Sequence, residues 1–394
     1  MMANPLLTPD LGVGSLEHRD RVDFRELRRA RADRLFARMD DLDIDACIFG
    51  REANARYATG VRRLWTASTR AFVPACFVQR AAREAHLLSF SASYEGIPEE
   101  IAPDHYFPVT WNPMQMVERL SALDGASAIR RLGVDAMTPL FADLLAHAFP
   151  NARVVGIEPE LRDMRRIKFD GEVTCMRIAA ATAESALVAA IRTARPGVSL
   201  KQVQGAYLER MSTLGTSQFA QQGTFSPIGA NGALRWMTPV DSLPDNTALA
   251  LAGGSLWAGY EGSLARTWWH GSRAPSAGLR AAASAWSDTV ARVTDALRPG
   301  ASGADVLKAF GTGGRGDASV RSVHAVGIGH EGAIATPWLE PSTLGEEEVR
   351  VGMVLAVREL VASNDGGFLG EDMVYIGANG AEPMTTLGYG PILD

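Results

Sequence analysis

The period of the apolar positions changes along this chain. Residues 24–40, FRELRRARADRLFARMD, repeat apolar side chains at helical spacing, so the first element is predicted to be a helix. IDACIFG at 44–50, AFVPACFVQ at 71–79 and AHLLSFS at 85–91 are short apolar runs that read as buried strands. PLFADLLAHAF at 139–149 returns to the helical period, and ARVVGIE at 152–158 to a strand. This alternation predicts a small α/β domain over residues 23–160, after a flexible N-terminal arm at 1–22. Residues 171–194, GEVTCMRIAAATAESALVAAIRTA, are rich in alanine and predict a long helix.

Past that helix the pattern recurs. RPGVSLKQV starts at Arg195 and RPGASGADV at Arg298, 103 residues later. Each follows a long Ala-rich stretch and opens a second helix with a serine near its start. The Pro-Gly ends one helix and the serine caps the next. An internal duplication of a helix–turn–helix-plus-strands unit is the expectation, which makes 161–394 a domain of two related halves and the fold class α/β (α+β).

Composition narrows the function classes. The 394 residues are 46% hydrophobic and 21% charged, with a net charge of −6, ordinary for a globular protein with a full core. No basic domain of clustered Lys and Arg is present, so no nucleic-acid partner is expected. The arginines at 25, 28, 29, 31 and 34 alternate with acids and read as a solvated helix face. Cys47, Cys76 and Cys175 stand among apolar neighbours without a C-x-x-C pair, which suits free thiols in a reducing cytoplasm. No basic, apolar leader begins the chain and no run reaches 18 apolar residues, so a cytoplasmic location without a membrane partner is expected.

Four stretches carry the candidate chemistry: GYEGSLARTWWHG at 259–271, VHAVGIGHEG at 323–332, GMVLAVRELV at 352–361 and LGEDMVYIGANGAEPMTT at 369–386. In this order they resemble the creatinase, prolidase and methionine aminopeptidase family of pita-bread fold, and within it most nearly the dimethylsulfoniopropionate lyase branch. NARYATGVRRLW at 54–65 extends the resemblance weakly into the N-terminal domain. The resemblance implies a small creatinase-like N-terminal domain, a pita-bread domain with internal pseudo-twofold symmetry, and a homodimer in which one chain's small domain closes the partner's pocket. Trp65 and Arg63, with Arg62 and Tyr57, fall where such substrate-orienting contacts are expected.

Metal-using members hold two cations on two Asp, one His and two Glu, a hard-oxygen set that activates water. Carried over position by position, the second Asp falls on Ser263 and the first within Leu251–Gly253, where no carboxylate stands. The His falls on His324, one Glu on Arg358 and the last on Glu371. Glu359 is one residue off, which in a strand turns it to the other face. Glu261 is two residues from Ser263 but is read as lying at the wrong depth. Four carboxylates without cations repel one another; here three are gone and an arginine has arrived, so an Arg358–Glu371 pair is expected to fill the site. Metal and cofactor are therefore both expected to be absent. Creatinase is a metal-free member of the family, although creatinase-like members keep a Glu where this chain has Arg358.

The chemistry left is acid–base. His324, His330, Glu331 and Glu371 are the candidate catalytic groups, since imidazole near neutral pKa gives or takes protons readily. In the family a second His follows the first, more often by seven residues than the six seen here. Arg266 and Arg358 are candidates to bind a substrate carboxylate, with Ser263 and Tyr260 beside them. A Ser263 nucleophile lacks an elbow motif. GTGGRG at 311–316 lacks the Lys-Ser/Thr ending of a phosphate loop. The reading is a metal-independent enzyme performing hydrolysis, elimination or cyclisation on a small, carboxylate-bearing, amino-acid-derived molecule. The alternatives are a non-catalytic peptide- or protein-binding pseudoenzyme and a metal-dependent lyase.

Overall fold

The computed structural model describes residues 21–61, 75–90, 97–108, 112–136, 138–216, 220–311 and 320–392. The chain divides into two compact units, with the break after Arg165. The helix Glu158–Arg166 lies in the first unit but for its last residue. The arm at 1–22, but for its last two residues, lies outside the described residues, as do Trp65, Arg63 and most of 311–316.

The first unit begins with α1 (Phe24–Asp41), whose cap Asp23 accepts the Glu26 amide at 2.9 Å. Then come β1 (Ala46–Phe49), α2 (Glu52–Thr59), β2 (Cys76–Gln79), β3 (Glu84–Phe90) and β4 (Tyr106–Pro108). It ends with α3 (Pro113–Ser121), β5 (Arg131–Val134), α4 (Pro139–Ala148), β6 (Arg153–Gly156) and α5 (Glu158–Arg166). The described strands form one six-stranded sheet in the order β4-β3-β2-β1-β5-β6. β1–β2 and β2–β3 are antiparallel; the remaining pairs are parallel. One apolar cluster gathers Ile48, Phe77, Leu88 and Phe149; another gathers Leu35, Met39, Phe49 and Val78.

The second unit opens with the Ala-rich helix α6 (Asp170–Thr193) and α7 (Leu200–Thr213), followed by β7 (Gln221–Pro227), β8 (Thr247–Trp257) and β9 (Tyr260–His270). The second half brings α8 (Ala277–Ala296), α9 (Gly303–Ala309), β10 (Ser322–Val326) and β11 (His330–Ala335). α10 (Pro341–Glu346), β12 (Val354–Ser363), β13 (Gly366–Gly377) and β14 (Gly380–Pro383) complete it. The described strands form an eight-stranded sheet, ordered β11-β10-β12-β13-β9-β8-β7, with β14 beside β13.

The duplication is visible at atomic detail. Gly197 and Gly300 take the same left-handed turn, φ 85° and 88°. The Gly197 amide donates to Leu243 at 2.9 Å and the Gly300 amide to Val349 at 2.8 Å. Ser199 caps α7 while bridging Ser242; Ser302 caps α9 while bridging Glu348.

α6 packs on β8 and β9, and α8 on β12 and β13. By length and composition α6 is apolar enough to cross a membrane, against the expectation of no such segment, but 67% of its most apolar stretch is buried within the protein. Interrupting charges such as Glu172 and Glu184 kept it below a run of 18 apolar residues; its burial is that of a core helix. Ser255 donates to the Ala179 carbonyl of α6 at 2.7 Å, and the Trp286 indole of α8 donates to the Glu359 carbonyl at 3.1 Å. Both long helices thus lie on the face opposite Ser263 and Glu371.

Candidate active site

Strand parity assembles the site. Partners directly across a ladder point to one face, as do residues two apart on a strand. The register pairs Gly254 with Ser263, Ala252 with Ala265 and Leu256 with Glu261. It continues through Ala265–Glu371, Glu371–Arg358, Ser322–Arg358 and His324–Ala356. Glu261, Ser263, Glu371, Arg358 and His324 therefore come from four strands to one face, the one not covered by α6 and α8.

Glu371, 1% exposed, is the hub. Ser263 Oγ donates to its Oε1, and the Ser263 amide meets Met373 Sδ at 3.1 Å. Arg358 Nε stands 3.4 Å from Glu371 Oε2, an ion pair without hydrogen-bond alignment, so that Nε is buried without a hydrogen-bond partner. The other side of the guanidinium lies over the Trp236 ring, 4.9 Å from its centroid. Trp236 is itself half exposed, so Arg358 spans from the buried carboxylate to the rim.

Glu261 belongs to this group, against the reading that placed it at the wrong depth. It is buried, and burial first, then the Glu371 and Glu331 carboxylates, push it up from 4.5 to about 7. Its amide donates to the Gly327 carbonyl at 2.8 Å, which pins β9 beside the turn after β10. Glu331 is 1% exposed and ion-paired with the equally buried Lys168. Lys168 also donates to the Arg166 carbonyl at 3.2 Å. His324 is half-buried on β10; His330 opens β11, with its side chain outside the described residues.

Other side chains singled out from the sequence lie elsewhere. Arg266 is odd-numbered steps from Ser263, so β9 turns it to the helix face. There Nε donates to Leu387 O at 2.8 Å, Nη1 to Ala265 O and Glu371 O at 2.8 and 2.7 Å, and Nη2 to Asp372 Oδ1 at 2.9 Å. Its guanidinium also stacks on Tyr389 at 4.2 Å. The Tyr260 hydroxyl donates to Glu172 Oε1 at 2.8 Å, also on the helix face; Glu172 Oε2 accepts the Phe169 amide at the start of α6. Glu359 lies on the helix face too, paired with Arg321 at 3.0 Å.

The donors on the site face do not fit a pair of divalent cations. Of the positions the resemblance assigns to ligands, the first falls within Leu251–Gly253, where Ala252, the residue whose parity turns it to the site face, packs in an apolar cluster with Ala250, Ala265, Leu360 and Leu369. The second is Ser263, a hydroxyl committed to Glu371. The fourth is Arg358, whose fixed positive charge stands against the remaining carboxylate. A guanidinium has no lone pair to offer and repels a cation. Sequence reasoning missed Lys168 and Trp236 altogether. Trp236 lies in a Gly- and Asn-rich connection without period, and Lys168 carries no sign of its partner; for Glu261 the signal was its even spacing from Ser263.

Comparison with known proteins gives the same architecture. The model of metallopeptidase family M24 matches residues 174–378, and that of the creatinase/prolidase N-terminal domain matches 31–167. A Sinorhizobium fredii protein named hydrolase/peptidase y4tL is 28% identical over 349 residues, 80% of this chain and 82% of that one. The X-Pro aminopeptidase of Thermotoga maritima superposes with a TM-score of 0.74 at 17% identity, covering 91% of this chain and 98% of its own. The Pyrococcus horikoshii prolidase gives 0.71 at 18%, covering 91% and 99%; the Bacillus anthracis Xaa-Pro dipeptidase gives 0.72 at 17%, covering 92% and 98%. At such identities the structural likeness speaks for the fold alone.

Proposed function

Because this chain belongs to metallopeptidase family M24 and carries the creatinase/prolidase N-terminal domain, we propose that it is a hydrolase-type enzyme of that family whose acid–base chemistry needs no resident metal. The observation that carries this reading is Arg358, paired with Glu371 on the face shared with His324 and Glu261. The cation that offsets the buried carboxylate is then part of the chain.

In this reading Glu261 and His324 exchange protons with the substrate. A carboxyl group that titrates near neutrality is suited to both donating and accepting. Arg358 holds the substrate carboxylate at the rim with its outer nitrogens, and Trp236 braces the guanidinium from the other side. Glu371 and Ser263 hold Arg358 in place. Arg266, Tyr260 and Glu331 stay outside the reacting set, because their polar atoms are engaged in contacts within the fold. The substrate class is a small, amino-acid-derived molecule with a free carboxylate and a hydrolysable C–N bond. The proposal extends to a cytoplasmic homodimer in which Trp65 and Arg63 are supplied by the partner.

A panel of short N-substituted amino acids and Xaa-Pro dipeptides, assayed before and after exhaustive chelation, tests this. Turnover is expected to survive chelation, and Glu261→Gln and His324→Ala are each expected to lower kcat by about 100-fold or more. Turnover abolished by chelation and restored by added metal overturns it. The engaged state of Arg266, Glu331 and Tyr260 favours a second reading, a binding module without turnover. Saturable ligand binding with no product across the panel would select it.

A further inference from the structure

Away from the pita-bread face, in the first unit, Glu84, His86 and His105 bring ligand atoms within 4.8 Å of one another. β3 sets Glu84 and His86 on one face by their spacing of two. His105 ends the short turn Pro103–His105 directly before β4, which runs parallel to β3 and pairs Tyr106 with Leu87. Chain direction and register thus deliver three side chains to one point at the sheet edge.

The three converge without bonding. His86 Nε2 stands 3.9 Å and His105 Nε2 3.7 Å from Glu84 Oε2, both too long for hydrogen bonds. The two imidazoles lie 4.0 Å apart between centroids. His86 is 5% exposed, held between the Phe77 and Phe107 rings at 5.7 and 6.0 Å, and its Nδ1 has no partner. A buried imidazole nitrogen left without a partner is costly. A tetrahedral zinc-type ion with bonds of about 2.0–2.1 Å sets its ligands roughly 3.4 Å apart. A small contraction of the cluster reaches that spacing.

We propose that Glu84, His86 and His105 bind one divalent transition-metal ion of zinc type, with water or the neighbouring Asp104 completing the coordination. Two imidazoles and a carboxylate are a donor set that suits zinc, cobalt and nickel over magnesium and calcium. Asp104 Oδ1 lies 4.0 Å from His105 Nε2 on the exposed side. Bound there, the ion ties the edge strand β4 to β3, whose ladder is irregular between Leu87 and Phe90, and closes the chain between residues 86 and 105.

The test uses the full-length protein, stripped of metal and titrated with Co2+ by visible absorption and with Zn2+ by calorimetry. One ion per chain is expected, with the intense visible band of tetrahedral cobalt. Glu84→Gln and His105→Gln, both partly exposed, are each expected to weaken binding by about tenfold or more, while His324→Ala and Glu371→Gln bind as the parent does. His86→Ala also removes core packing, so the other two variants decide. No binding by folded protein, or binding that ignores Glu84→Gln and His105→Gln, overturns the proposal.

Discussion

Arg358 and Glu371 set the charge of the site, and Glu261 sets its response to pH. Glu261 is raised from 4.5 to about 7 by burial and by two neighbouring carboxylates. The folded protein then holds this proton more tightly than the unfolded chain does, so the group costs no stability below about pH 4.5. Its cost grows as pH rises through 7 and reaches up to about 3 kcal/mol. Glu261→Gln is therefore expected to be more stable than the parent at pH 8 by up to that amount, and nearly equal to it at pH 4.5. Urea unfolding at the two pH values measures this; a difference independent of pH contradicts it. Arg358, Ser263 and Glu371 were legible because each stands at a fixed offset within a motif. Glu261 was misjudged because depth in a sheet depends on the register between strands, which a single sequence leaves open. Lys168 was invisible because its partner, Glu331, lies 163 residues away.

At the scale of elements, parity decides which face each side chain joins. It brought His324, Arg358 and Glu371 together as their motifs implied, and it placed Glu359 on the helix face as a one-residue slip requires. It also removed Arg266 from the site, although Arg266 and Ser263 share a motif, because they stand an odd number of residues apart. The helix side of β9 leaves no room at Gly262, where an added Cβ would come within 2.2 Å of the Ala179 and Ala180 backbone. Helix backbone cannot yield as a flexible side chain can. Gly262→Ala is thus expected to cost about 3 kcal/mol by forcing α6 from the sheet, read as a lower urea midpoint. An unchanged midpoint would show that α6 does not lie against β9 so closely. The Arg-Pro-Gly turns were the legible part of the duplication, since they need a left-handed glycine and a capping serine in sequence. Short elements such as α2, β4 and β5 were missed because too few residues establish a period.

Across the whole molecule, the α/β alternation and the repeated half were legible in the sequence, and the family M24 and creatinase/prolidase N-terminal domain matches cover residues 174–378 and 31–167. Cys47, Cys76 and Cys175 form no disulfide among the described residues and are fully buried, and burial pushes the Cys47 and Cys76 thiols far up from their usual range. All three are expected to resist a thiol reagent in the native protein and to react in urea; rapid native labelling would contradict the packing of both units. On the pita-bread face, the proposed independence from metal rests on Arg358 paired with Glu371. Its most direct test is the metal content, by elemental mass spectrometry, of the Glu84→Gln/His105→Gln variant purified without added metal and dialysed. That variant lacks the edge-strand cluster, so any ion it keeps must sit elsewhere. Metal well below one ion per chain is the predicted result. One or two tightly held ions, lost on His324→Ala or Glu371→Gln, would contradict the account and make this a metal-dependent member of its family.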